Sequence, residues 1–118
     1  MNALAGPEVD RLFHALGDPT RRAILDRLTR APCSVSGLAA PLGITLTAVS
    51  QHLSVLEASG LARTQKTGRV RTCSLETAGF DRLQHWIDEH RNIWTRRLDA
   101  LGVHHLQPRV AVVPLWML

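Results

Sequence analysis

Apolar residues recur every three or four positions over most of this chain, and the interruptions of that rhythm mark its elements. Val9, Leu12, Phe13 and Leu16 share one face and predict a first helix over about Glu8–Leu16, ended by Gly17. Asp18 suits the cap of a second helix and Pro19 its first position. Ile24, Leu25 and Leu28 give that helix its buried stripe until near Thr29, and Ala31-Pro32 breaks it. Cys33-Ser34-Val35 reads as a short extended piece. A short third helix is expected from Ser36, with Leu38, Ala39 and Leu42 inward and Pro41 distorting its last turn. Gly43-Ile44 turns the chain. Thr45 caps a fourth helix that runs to about Ala58 on a stripe of Leu46, Val49, Leu53 and Leu56, with Gly60 just past its end.

From Leu61 to Leu75 the period drops to two. Val70, Thr72, Cys73 and Leu75 suit strands, with Lys66-Thr67-Gly68-Arg69 as the tip of a hairpin. Alternation would put Arg69 and Arg71 on one strand face and Val70 on the other. A long fifth helix is predicted over about Thr77–Leu101, closed by Gly102. The expected fold is mainly α: a winged helix-turn-helix of about five helices plus a β-hairpin wing, dimeric. One domain is expected over residues 1–106, followed by a C-terminal tail, 107–118, that the pattern leaves unplaced.

The fourth helix is unusual on its polar side. Thr45, Thr47, Ala48, Ser50, Gln51, His52 and Ser54 are short or uncharged, where a solvated face would carry Glu and Lys. In a helix-turn-helix the second helix enters the major groove of DNA. Short side chains allow close approach, Gln pairs two-pronged with adenine, and Ser or Thr serves several bases. Charge strengthens that picture. The net charge is +4, carried by 13 Arg and one Lys, and Arg63, Lys66, Arg69 and Arg71 crowd the hairpin. Cations on a wing that follows a reading helix would meet phosphate or the minor groove. Double-stranded DNA is therefore the expected partner. A winged helix that binds protein instead is the rival, but it should show acidic residues on the reading face and no arginines in the wing.

Other classes find little footing. No glycine-rich phosphate loop, nucleophile elbow or histidine with suitably placed acids is present, so no enzyme and no cofactor are expected. No apolar run approaches the length of a membrane span, and the N-terminus lacks the features of a signal peptide, so a cytoplasmic location is the expectation. Two cysteines are too few for a disulfide framework.

The stretches FHALGDPTRRAILDRL (13–28) and SVSGLAAPLGITLTAVSQHLSVLEASGLARTQKTGRVRTCSL (34–75), with the helix to about Leu101, resemble the ArsR/SmtB family of winged-helix repressors. The resemblance covers most of the chain apart from its ends. It implies a homodimer on an operator, repression of transcription, and dimerisation by the first and last helices. Leu12, Phe13, Trp86, Ile93, Trp94, Leu98 and Leu101 are the residues expected at that interface. The last helix supports it independently: Phe80, Leu83, Ile87, Trp94, Leu98 and Leu101 form one apolar stripe, and Trp86 and Ile93 add a second.

The family's metal sites are not reproduced. Ser34-Val35-Ser36 stands where relatives carry a Cys-Val-Cys-like motif, and hydroxyls are poor ligands for thiophilic metals. Asp88-Glu89-His90 matches the first half of a second family site, whose second half meets Leu101 and then His104. His85 and His90 are five apart and would not share a helical face well. No metal is expected, the inducer is unknown, and His14 is read as a surface residue. Two alternatives remain: a metal response through His90, His104 and His105, or a redox response through Cys33 and Cys73. In winged helices the piece before the third helix commonly pairs with the second wing strand, so these cysteines are expected to be cross-strand neighbours.

Overall fold

The computed structural model describes residues 6–102. Over these residues the elements are α1 (Gly6–Leu16), α2 (Pro19–Arg30), β1 (Cys33–Ser34), α3 (Val35–Leu42), α4 (Leu46–Ala58), β2 (Ala62–Thr67), β3 (Val70–Leu75) and α5 (Thr77–Ala100). Helix-turn-helix followed by a hairpin is the winged helix-turn-helix that the sequence predicted.

Most boundaries follow local chemistry. Asp18 caps α2 through a hydrogen bond from the Arg21 amide (2.9 Å), and Thr45 caps α4 by accepting from the Ala48 amide (3.0 Å). α1 begins at Gly6, earlier than the stripe suggested, because Pro7 is tolerated in a first turn whose N–H groups lack partners anyway. α3 begins at Val35, not Ser36: Ser34 is its cap, accepting from the Gly37 amide (3.0 Å). Pro41 stays inside α3. The helix closes beyond it through bonds from the Gly43 and Ile44 amides to the carbonyls of Ala40 and Ala39, with Gly43 in the left-handed region (φ 66°).

The sheet has three antiparallel strands in the order β1-β3-β2. Thr67 pairs with Val70, so the hairpin turns on two residues, Gly68 and Arg69, with Gly68 at φ 65°. Glycine at the first position of a two-residue loop is the requirement of a II′ turn, whose twist matches the strands. Arg69 therefore sits in the turn and does not share a strand face with Arg71, as the alternation had suggested.

The core joins α1 to β3: Leu12 and Ala15, Ile24, Leu25 and Leu28, Val35 and Leu38, Val49, Leu53 and Leu56, then Leu61, Ala62 and Cys73. Each large apolar side chain here contributes about 1.5–3 kcal/mol relative to exposure. Two expectations are corrected. Leu46 is 51% exposed, because it opens α4 with nothing over it; half-buried Ile44 packs on the core in its place. Leu12 is 1% exposed within the chain's own core, so it is not available as a dimer contact.

Where α5 begins, backbone meets backbone. The Gly79 amide donates to the Gly60 carbonyl (2.8 Å). A Cβ on Gly79 would fall on the Ser59 carbonyl oxygen and 2.7 Å from that of Gly60. Neither neighbour is a movable side-chain tip. Gly79→Ala is expected to lower stability by about 1–3 kcal/mol, the usual cost of overpacking, read as a lower urea midpoint with an unchanged slope.

Packing divides the chain between Gln84 and His85. The core above belongs to the first unit. In the second, Trp86 and His90 stack at 4.0 Å between ring centroids, and Trp94 meets Trp86 edge-on at 6.3 Å. The expected 1–106 domain and 107–118 tail extend past the described residues.

Candidate nucleic-acid interface

The axes of α3 and α4 turn through 113°, within the range of DNA-reading helix-turn-helix units. Val49, Leu53 and Leu56 anchor α4 on the core. Thr45, Thr47, Gln51 and Ser54 are consequently exposed, with Ser50 and Ala48 half-buried at the margins. At positions 47, 51 and 54, spaced by four and three, the exposed side chains form one stripe. The expected readers are thus brought together, with one qualification of chemistry. The Ser54 hydroxyl donates to the Ser50 carbonyl (3.1 Å), so its proton is engaged within the helix.

His52 is placed differently from the expectation. Its Nδ1 lies 3.4 Å from an Arg21 guanidinium nitrogen and 3.9 Å from an Asp18 carboxylate oxygen, and its side chain is only 23% exposed. It leans on α2 rather than standing among the outward stripe. Arg21 is the centre of this contact. Buried, it donates through Nε to the Ala15 carbonyl and through a terminal nitrogen to the His14 carbonyl, both at 2.9 Å. Arg22 donates to the Leu16 carbonyl (2.6 Å). Two guanidinium groups from α2 thus satisfy the open carbonyl end of α1, where the helix dipole is negative. The Arg21 amide in turn holds the Asp18 carboxyl below the usual carboxylate range. Sequence reading saw Asp18 and Pro19 as a helix start and missed this second role of Arg21. The motif is legible locally, but the carbonyls it reaches become neighbours only after α1 and α2 pack.

The wing cations separate into groups. Register places Lys66 directly opposite Arg71, on the same face as Thr64 and Cys73; Arg63 pairs with Ser74 on the other face. Arg63 approaches Glu76 at 3.8 Å, so it stands away from the tip. The wing is held against α4 by Glu57, whose carboxylate accepts from the Thr64 amide (3.2 Å) and hydroxyl (3.0 Å). The Thr64 oxygen also accepts from Arg71 (3.3 Å). Glu57 and Thr64 were not singled out from the sequence; seven residues apart on different elements, they carry no periodic signal.

Along the later part of α5, Trp94 and Leu98 are exposed, as are Ile87 and Ile93, while Trp86 is half-buried and Leu101 is 74% exposed. In α1, Phe13 is exposed on the flank of the buried stripe. His90 Nδ1 lies 2.9 Å from the Trp86 carbonyl, and His85 approaches Glu89 at 3.2 Å. Among the described residues no three His, Cys, Asp or Glu side chains cluster to hold a metal. His104 and His105, named in the metal alternative, lie outside those residues.

Comparison with known proteins agrees with this geometry. A family model described as a helix-turn-helix domain matches residues 16–65. The HTH-type transcriptional regulator Rv2034 of Mycobacterium tuberculosis is 40% identical over 89 residues, which span 75% of this chain and 80% of that protein. The crystal structure of an ArsR family transcriptional regulator, RHA00566, is 44% identical and superposes with a TM-score of 0.70 over 75% of this chain and 92% of its own. The homodimeric winged helix-turn-helix DNA-binding domain of Mb0332 from Mycobacterium bovis is 25% identical, with a TM-score of 0.62 over 84% of this chain and 89% of its own. By sequence and by fold, this chain belongs to the ArsR family of winged helix-turn-helix transcriptional regulators.

Proposed function

We propose that this regulator acts as a homodimeric repressor in the cytoplasm, binding an inverted-repeat operator through α4 and the wing. The observation that carries the reading is the uncharged polar stripe of Thr47, Gln51 and Ser54 on a capped helix, beside a wing that opposes Lys66 to Arg71. Like charges directly across a strand pair destabilise it, and a phosphate backbone against them offsets that cost. At the start of α4, where Thr45 already holds the Ala48 amide, the helix dipole also favours phosphate. The exposed apolar residues of later α5 form a surface that a second copy would cover, and Phe13 of α1 offers an exposed apolar side chain of its own. A two-fold dimer would set two reading helices about 34 Å apart on one face of the duplex. The homodimeric state of Mb0332 supports this arrangement.

Selection of bound sequences from a random duplex pool tests it. A palindromic site, bound with a steep salt dependence, is expected; no enriched sequence would favour an interaction module instead. Gln51→Ala is expected to cost about 1–3 kcal/mol on the selected site and to relax preference at one base position per half-site. A loss equal on all sequences would remove Gln51 from its role as a reader.

A further inference from the structure

Two thiols lie side by side where the central wing strand meets the segment leading into α3. Cys33 on β1 pairs directly with Cys73 on β3, so both side chains leave the same face of the sheet. Directly opposed residues of an antiparallel pair have Cα atoms about 4.5–5.5 Å apart, inside the span of about 4.4–6.8 Å that a disulfide bridges. Both thiols are free. Their access differs: Cys73 is fully buried, whereas Cys33 is half-buried and reachable from solvent. Burial first, then the neighbouring Cys33, pushes the Cys73 thiol up to about 11. Cys73 therefore stays protonated and unreactive towards solutes.

We propose that Cys33 and Cys73 are an oxidation site that takes a hydroperoxide and closes to an intrachain disulfide, and that closure weakens duplex binding. The second half rests on the DNA-binding reading above. The Cys33 thiolate attacks one peroxide oxygen; the O–O bond breaks, leaving a Cys33 sulfenic acid and releasing hydroxide or alkoxide. The Cys73 sulfur then attacks the Cys33 sulfur. As the S–S bond forms and the S–O bond breaks, the departing hydroxide takes the Cys73 proton and leaves as water. Two electrons pass from the thiols to the peroxide, and a dithiol reductant reverses the bond by exchange.

The link to DNA is mechanical. Bonding draws the two sulfurs to about 2.05 Å. β1 is only two residues long, and Ser34, next to Cys33, caps α3. The first turn of α3 lies against Cys33, since a Cβ on Gly37 would stand 3.5 Å from its sulfur. On the other side of Cys73, the same register row continues to Thr64, which Glu57 of α4 holds. A contraction between Cys33 and Cys73 thus acts on α3 at one end of the row and on the α4–wing clamp at the other.

The test treats the full chain with hydrogen peroxide, then alkylates remaining thiols under denaturing conditions and measures intact and peptide masses. A single intrachain Cys33–Cys73 link, reversed by dithiothreitol, is expected. Two alkylated cysteines, a bridge between chains, or oxidation that stops on Cys33 overturns the site. On the duplex selected by the reduced protein, the oxidised form should bind more weakly, on the order of 5–150-fold, the usual range of coupling between two sites. Cys33→Ala should keep its affinity after the same treatment. Equal affinity of linked and reduced wild type removes the regulatory half. A reduced chain that selects no duplex removes it together with the DNA-binding reading, while the masses still decide the bond.

Discussion

Arg21→Ala is expected to unfold more of this protein at a given denaturant concentration than any single change on the exposed polar stripe of α4. The Arg21 guanidinium is buried and bonds two carbonyls of α1 while touching His52 of α4. Hydrogen bonds to charged groups contribute about 1.5–3 kcal/mol, and a buried acceptor left without a donor costs about 1–3 kcal/mol. Water can reach part of the vacated site, so a net loss of about 3 kcal/mol is expected. Arg21→Lys should recover only part of this, because an ammonium cannot reproduce the fixed fork that reaches both carbonyls. Urea unfolding at fixed protein concentration measures it. An alanine variant as stable as wild type would mean that the α1 terminus is satisfied by other donors. A secondary loss of DNA affinity should accompany the change, since α4 loses the guanidinium that ties it, through His52, to α2.

Removing the wing cations should have the opposite profile: little effect on stability and a large effect on binding. The triple variant Lys66→Ala, Arg69→Ala, Arg71→Ala deletes the tip cation and the opposed pair. Each cation that releases counterions from duplex DNA contributes about 0.9 to the salt slope. Two wings on a dimer would therefore flatten the slope by as much as about 5. The fold should tolerate the change, because like charges directly opposite are unfavourable in the free protein. Arg63→Ala is the internal contrast. Its position on the other face, near Glu76, predicts a smaller change in slope. An unchanged slope in the triple variant would move the phosphate contacts off the wing.

The elements with strong local chemistry were the ones that could be read in advance. Asp18 and Thr45 each lie three residues before the amide they cap, and Gly43, Gly60, Gly68 and Gly102 hold the left-handed positions at turns and helix ends. The outward stripe of α4 was also legible, because the apolar face fixes the polar one by helical period. The misreadings share a cause. Leu46 has an inward-looking phase but nothing packed over it, and Leu12 was assigned to a partner although its own chain covers it. Periodicity reports which face is apolar, not which neighbour fills it. His52 likewise has a phase compatible with the reading face, yet Asp18 and Arg21 draw it aside.

Composition, caps and period were thus enough to settle the winged helix-turn-helix and the outward polar stripe of α4, because those features depend on residues within a turn or two of one another. The Arg21 cap on α1, the Glu57–Thr64 clamp on the wing and the division of the wing cations between two faces were decided by packing. Each joins groups that the chain brings together only after helices dock and strands choose a register, and no local pattern encodes the distance between them.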